Sequence, residues 1–385
     1  MRRYSSTETI LVEKLKQLPG GILTVTFALF LIGVIVLFSA AKGHFNPWAS
    51  RQIANAVFAL PIMVMIMLTD IRYWFRISYK MFAVGVGLLI AVKLFGVIGG
   101  LGAQRWLRIG PLQFQPSELM KVFLVLALSR YYHLLHFNNL HRITSLFIPL
   151  GLTGLAAGLV LIQPNLGTAA ILCMVSGIMM FVTGVSWKKI IFVLGIVAVS
   201  MPVLWNHMHD YQKRRVHTFL HPEDDALGSG YNIIQSKIAV GSGGIFGKGF
   251  LNGSQTQLNF VPEQQTDFIF SILAEEFGFV GSMIAIILYG TLIILSRRIS
   301  ESCTNVYAKC LAVGMSSIIF VHVFVNVGMV IGILPVVGVP LPLISYGGSS
   351  LISSLLAVAF IVNAHIHRNV HVYINDEDEM VLKGY

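Results

Sequence analysis

Ten apolar stretches, each close to the length of a bilayer-crossing helix, recur along the chain between residues 22 and 366. A hydrocarbon core of roughly 30 Å takes about 20 residues of helix. Inside it every backbone N–H and C=O must be satisfied within the segment, which restricts such runs to helices. The expected spans are 22–41, 53–69, 79–98, 117–136, 145–163, 166–185, 188–206, 267–296, 306–332 and 346–366. Only 11% of the 385 residues are charged and 55% are hydrophobic, which excludes an ordinary soluble globule with about a quarter of its residues charged. The formal charge of +10 does not point to nucleic acid, because the Lys and Arg residues are dispersed between apolar runs rather than gathered on a basic face. Cys173, Cys303 and Cys310 show no metal-ligand spacing and no disulfide framework.

Positive residues orient the spans, because they are retained on the cytoplasmic side. With the N-terminus inside, Arg2, Arg3, Lys14, Lys16, Arg72, Arg76, Lys80, Arg130, Arg142, Lys188, Lys189, Arg297, Arg298, Lys309, Arg368 and Lys383 lie in inner segments and adjoining helix ends, against Lys42, Arg51, Arg105 and Arg108 in the short outer loops. The 207–266 segment is too long to count in this balance. The expected fold is an all-α polytopic membrane protein of about ten transmembrane helices, both termini cytoplasmic, with one long extracytoplasmic loop between helices 7 and 8. It divides into a cytoplasmic segment 1–21, a single transmembrane domain 22–368 that includes the 207–266 loop, and a cytoplasmic tail 369–385. The first span reads as a retained anchor, and Asp376-Glu377-Asp378-Glu379 as a solvated end.

Ionisable residues in spanning helices are functional candidates by default. Glu118 and Lys121 stand three apart at the start of the fourth span, so they share a face and can pair. A structural ion pair and a substrate-binding pair are both open readings. The preceding loop, Gln104-Arg105-Trp106-Leu107-Arg108, favours the second, since Arg suits bidentate phosphate binding and Trp suits the headgroup level. Asp267 is placed in the first turn of the eighth span, capped by Thr266 or a neighbour, where the helix dipole keeps a carboxylate ionised. It is a candidate general base if a substrate hydroxyl can reach it, and a plain helix-start Asp otherwise. On a continuous helix Glu275 lies about 80° from Asp267 and Glu276 roughly opposite, so only Glu275 is placed to share a site. Lys213-Arg214-Arg215 could hold a phosphate or a lipid headgroup, or form a solvated face. Gly241-Ser242-Gly243-Gly244 and Gly247-Lys248-Gly249 read as flexible turns packed on the membrane domain, because a phosphate loop would need Gly at 242 and Ser or Thr at 249. The twelve histidines form no convincing metal set.

Several motifs together resemble the SEDS (shape, elongation, division and sporulation) proteins of bacterial wall synthesis. They are Arg105-Trp106 with Gln115-Pro116-Ser117-Glu118, Gln163-Pro164-Asn165-Leu166-Gly167-Thr168, Pro262-Glu263 to Thr266-Asp267-Phe268, Ala274-Glu275-Glu276, and Pro340-Leu341-Pro342-Leu343-Ile344-Ser345-Tyr346-Gly347-Gly348-Ser349. Residues 225–236 and 241–244 look more like RodA, the elongation branch, than FtsW, the division branch. The resemblance implies a peptidoglycan glycosyltransferase of the bacterial cytoplasmic (inner) membrane that polymerises lipid II at its outer face. Asp267 falls on the family's essential acid, and Arg105, Trp106, Glu118 and Lys121 fall on motif positions of the substrate cavity. Arg215 and Glu275 complete the expected substrate-binding set. Asn165 stands where the family usually has Asp, and Gln265 where it usually has His.

The resemblance further implies a divalent cation (Mg or Mn) with ligands unknown, a class B penicillin-binding protein (transpeptidase) as partner, and other elongation-complex membrane proteins. Two rival readings of the same helices are a lipid II flippase without bond chemistry and a scaffold. A transporter would be expected to place essential groups near midplane and on both sides. Here they collect toward the outer ends.

Overall fold

The computed structural model describes residues 14–98, 104–110, 112–135, 143–207, 210–225, 229–258, 260 and 262–372. Each expected apolar stretch contains a helix: α1 (Gly20–Ala40), α2 (Trp48–Leu68), α3 (Ile71–Phe95), α4 (Pro116–Leu134), α5 (Phe147–Ile162), α6 (Leu166–Val182), α7 (Trp187–His207), α10 (Ile269–Ser302), α11 (Val306–Val330) and α12 (Gly348–Ile366). Two longer ones, α8 (Asp210–Leu220) and α9 (Ser229–Ser242), lie in the long connection with a single helical turn at Ser254–Gln257. Among the described residues seven helices are long and apolar enough to cross a membrane, namely α1, α2, α3, α5, α10, α11 and α12. Of the others, α4 carries Glu118, Lys121 and Arg130, and α6 is apolar but has only 17 residues.

Helix α3 starts at Ile71, ahead of the expected 79, because the Asp70 carboxylate accepts from the N–H of Arg72 at 2.8 Å and caps it. The polar turn that follows is thereby helical although it is not apolar. The all-α expectation also needs correction. Residues 97–114 contain three short antiparallel strands, β1 (Val97–Ile98), β2 (Gln104–Ile109) and β3 (Leu112–Phe114), with Leu107 opposite Phe114 and Ile109 opposite Leu112.

Helix α12 is the centre of the bundle. Every residue from 353 to 364 is buried, as expected of a helix that is apolar all round. It packs on α2, α11 and α4, while α11 also packs on α10, α4 and α6, α3 on α4, and α1 on α10. Peripheral helices turn Phe27, Val57 and Ile287 outward, the surface that lipid requires.

Helix α10 is not one straight rod. At Gly278 the backbone takes φ 64° and ψ −160°, which breaks it into two helices. The 244–249 loop fills the break: the N–H groups of Lys248 and Gly249 donate to the carbonyls of Glu275 and Glu276, each at 3.0 Å, and the N–H groups of Phe279 and Val280 donate to Gly244 and Ile245 at 2.9 and 3.1 Å. The backbone groups that the break frees are thus satisfied by the loop. The glycine-rich turns are packed on the membrane domain, as expected, and they pack into the break of α10. Glycines are needed there because backbone meets backbone; a Cβ on Gly278 would stand 2.6 Å from the Ile245 oxygen.

Candidate functional site

The start of α4, the α5–α6 junction, the start of α10, the end of α11 and the start of α12 meet at one end of the bundle. Asp267 lies there, in a turn immediately before the helical start at Ile269 rather than in the first turn of α10, and the N-cap position is Phe268, with no side-chain cap. The dipole argument for Asp267 therefore weakens, and tertiary anchoring takes its place. The carbonyl of Gln265 accepts from the N–H of Tyr346 at 2.9 Å. The carbonyl of Thr266 accepts from Ser345 Oγ at 2.6 Å, and that of Asp267 from Asn326 Nδ2 at 2.8 Å. Ser345 is itself placed by accepting from the N–H of Leu341 at 2.8 Å. Three consecutive carbonyls are thus fixed, and the Asp267 residue is partly exposed.

The 337–346 loop that supplies these anchors is embedded. Tyr289 donates its hydroxyl to the Pro342 carbonyl, Gln52 Nε2 donates to the Ser345 carbonyl at 3.0 Å, and α1 approaches so closely that a Cβ on Gly33 would be 2.7 Å from Ile344 Cα. Gly338, at φ 71°, is the floor under the acid: a Cβ there would be 3.2 Å from Asp267 Oδ2.

Arg105 projects from β2, where its guanidinium Nη2 donates to the Pro164 carbonyl and its Nε to the Gln163 carbonyl at 3.4 Å. Asn165 caps α6 by accepting from the N–H of Thr168 at 3.3 Å. The next turn abuts the Asp267 floor, since a Cβ on Gly167 would meet the Val337 oxygen at 2.6 Å. Arg105 and Asp267 are therefore joined through 163–167 and 337–338. Trp106, the adjacent strand residue, is partly exposed and pairs with Val97.

Glu118 and Lys121 pair as expected, with Nζ 2.8 Å from Oε1, but both are enclosed, at 5% and 1% exposure. In this arrangement the Lys121 ammonium is engaged inside the bundle rather than presented on its surface. Their third partner is His322, whose Nε2 is 2.6 Å from Lys121 Nζ. Sequence reasoning missed His322. The available signal was an ionisable side chain in the middle of an apolar run.

Glu275 is wholly buried and engaged within the chain. Its Oε1 takes hydrogen bonds from Lys248 Nζ, Ser254 Oγ and the N–H of Gln255, and its Oε2 from the N–H and Oγ1 of Thr256. It organises the 248–256 segment, and the structure gives it that role within the chain. Arg215 falls in α8, with its side chain outside the described residues. Among the described residues no three His, Cys, Asp or Glu side chains gather as a metal-binding group. The nearby Glu263 is exposed and accepts from Thr266 and Gln265. Among the described residues the donors near Asp267 do not make up a ligand set for a resident divalent cation.

Residues 21–370 match the FtsW/RodA/SpoVE family, described as cell cycle proteins. Over 355 residues the chain is 42% identical to the peptidoglycan glycosyltransferase MrdB of Escherichia coli (strain K12), an alignment covering 92% of this chain and 95% of that protein. It is 36% identical over 353 residues to the stage V sporulation protein E of Bacillus subtilis (strain 168), covering 88% and 94%. Among solved structures, a chain from a peptidoglycan synthase complex studied for its coordination of polymerization and crosslinking superposes with a TM-score of 0.79 at 32% identity, covering 92% of this chain and 99% of that one. The rod shape determining protein RodA of Thermus thermophilus superposes with a TM-score of 0.69 at 27% identity, covering 92% and 98%.

Proposed function

The chain belongs to the FtsW/RodA/SpoVE family and is a multi-pass membrane peptidoglycan glycosyltransferase; from that premise we propose that it polymerises lipid II at the outer face of the cytoplasmic membrane during elongation, with Asp267 as general base. The elongation role is favoured over division by the 42% identity to MrdB against 35% to an FtsW protein of Trichlorobacter lovleyi. Ten spans with both termini inside are part of the same reading, since they put the Asp267 end of the bundle outside.

The observation that carries the chemistry is a partly exposed acidic residue, Asp267, on a turn whose backbone is held at three successive carbonyls. As the acceptor hydroxyl oxygen attacks the anomeric carbon of the donor, Asp267 takes its proton. The bond from that carbon to the lipid pyrophosphate breaks, and its electron pair departs with the pyrophosphate. Arg105 offsets the negative charge that develops there, and Trp106 sits at the headgroup level. Glu118, Lys121 and His322 act behind this surface, fixing α4 against α11. A divalent cation enters this reading only as a companion of the substrate pyrophosphate.

Transport without chemistry fits less well, because the polar constellation around Asp267 lies at one end of the bundle, whereas alternating access needs a site reachable from both sides. The cross-linking partner is a class B penicillin-binding protein, a reading supported by the superposition on a synthase complex that couples polymerization to crosslinking. The deciding experiment incubates the purified full chain, alone and with such a transpeptidase, with lipid II and follows glycan length on gels. Glycan strands from the unaltered protein and none from Asp267→Asn are expected. Polymerisation that survives Asp267→Asn would overturn the assignment of the base.

A further inference from the structure

We propose that Asn326 is a positioning residue for Asp267, setting the proton-accepting turn at a fixed distance from the glycine floor beneath it; this deepens, and rests on, the assignment of Asp267 as general base. Asn326 is completely buried near the end of α11. Its single amide nitrogen donates twice, to the carbonyl of Asp267 at 2.8 Å and to the carbonyl of Val339 at 2.7 Å. Val339 follows Gly338, where an added Cβ would stand 3.2 Å from Asp267 Oδ2. One planar amide group therefore ties the backbone of the acid to the chain beside the glycine that leaves room for its carboxylate.

This arrangement is costly as packing alone. The Oδ1 of Asn326 is buried with no hydrogen-bond partner, an unsatisfied acceptor that an apolar residue of the same size would not carry, although such a residue would also leave the Asp267 and Val339 carbonyls without this donor. What the amide provides that Leu cannot is a directional link between the Asp267 turn and the 337–346 loop, beside the Ser345 and Tyr346 contacts. His322 lies one turn earlier on α11, about 6 Å along the axis, so the buried lysine and the catalytic turn are attached to the same stretch of helix.

The test uses the purified full chain with lipid II, comparing the unaltered protein with Asn326→Leu, Asn326→Asp and Asp267→Asn. Initial rates give kcat and KM separately, and thermal unfolding in detergent reports the fold. A positioning role predicts that Asn326→Leu stays folded with a modestly lowered melting temperature and a KM within about twofold, while kcat falls about 10- to 100-fold, the scale of a reacting group displaced by about 1 Å. Asn326→Asp keeps the shape but loses the doubly donating nitrogen, and the same loss of kcat is expected. Unchanged kcat in a folded Asn326→Leu, with Asp267→Asn inactive, overturns the positioning role and leaves the base in place. An active Asp267→Asn instead overturns the base and this inference with it. If neither Asn326 variant folds, Asn326 is a packing residue and the proposal fails.

Discussion

Lys121 Nζ lies 2.6 Å from His322 Nε2, which joins α4 to α11 across 201 residues of sequence. The other ring nitrogen of His322, Nδ1, is 2.7 Å from the carbonyl of Ile318. A carbonyl only accepts, so Nδ1 carries the proton and Nε2 accepts from the lysine ammonium. The cation thus has two buried partners, Glu118 and a neutral histidine.

Replacing that histidine by leucine removes one acceptor from an enclosed ammonium. His322→Leu is expected to lower stability by roughly 1–3 kcal/mol, read as a lower melting temperature of the purified protein in detergent. A variant that melts with the unaltered protein would show that Glu118 alone satisfies Lys121.

The pair itself separates structure from activity. Glu118→Gln or Lys121→Met leaves one buried charge uncompensated and is expected to cost about 3–5 kcal/mol. The double variant should recover most of that stability. Its polymerisation should remain at least about tenfold down, since the lysine link that fixes His322 one turn from Asn326 is gone. A double variant both stable and fully active would make the pair packing only.

Gly278→Ala tests the break in α10. The new methyl group meets the Ile245 oxygen at 2.6 Å and sits on a backbone with φ 64° that L residues rarely adopt. A loss exceeding about 3 kcal/mol follows from clash and strain together. Limited proteolysis of residues 244–257 should show early cleavage, and protection equal to that of the unaltered protein would contradict the docking.

Membrane orientation is open to reporter fusions. Signals from outside are expected for fusions after Pro111 and within 220–255, and from the cytoplasm after Lys189 and Arg298. A cytoplasmic signal from 220–255 would move the Asp267 end to the wrong face for lipid-linked glycan synthesis.

The helices were legible because a bilayer span needs only an apolar run, and each of the ten runs holds one. The tertiary features were less so. The break at Gly278 interrupts neither the apolar pattern nor the helix propensity of its flanks, so 267–296 reads as one rod, and the angle computed from Asp267 to Glu275 assumed a helix that in fact starts two residues later. Glu275 looked available because its five donors come from residues 248–256, whose approach no local pattern encodes. Asp267, Arg105 and the Glu118–Lys121 pair stand out in the sequence, since charged residues beside or within apolar spans are conspicuous. His322 and Asn326 were not, because a lone polar residue in an apolar run reveals neither its partner nor its direction. The strands at 97–114 are too short for alternation to stand out.

The hold on the Asp267 turn is taken through the carbonyl oxygens of residues 265, 266 and 267, and a carbonyl is the same whatever side chain it follows. The clamp is blind to side-chain identity at 265 and 266. The residue at 265 can therefore change without moving the acid two residues on, and the Gln265 amide simply turns aside to Glu263. Sequence drift at these two positions is decoupled from the geometry of the reaction.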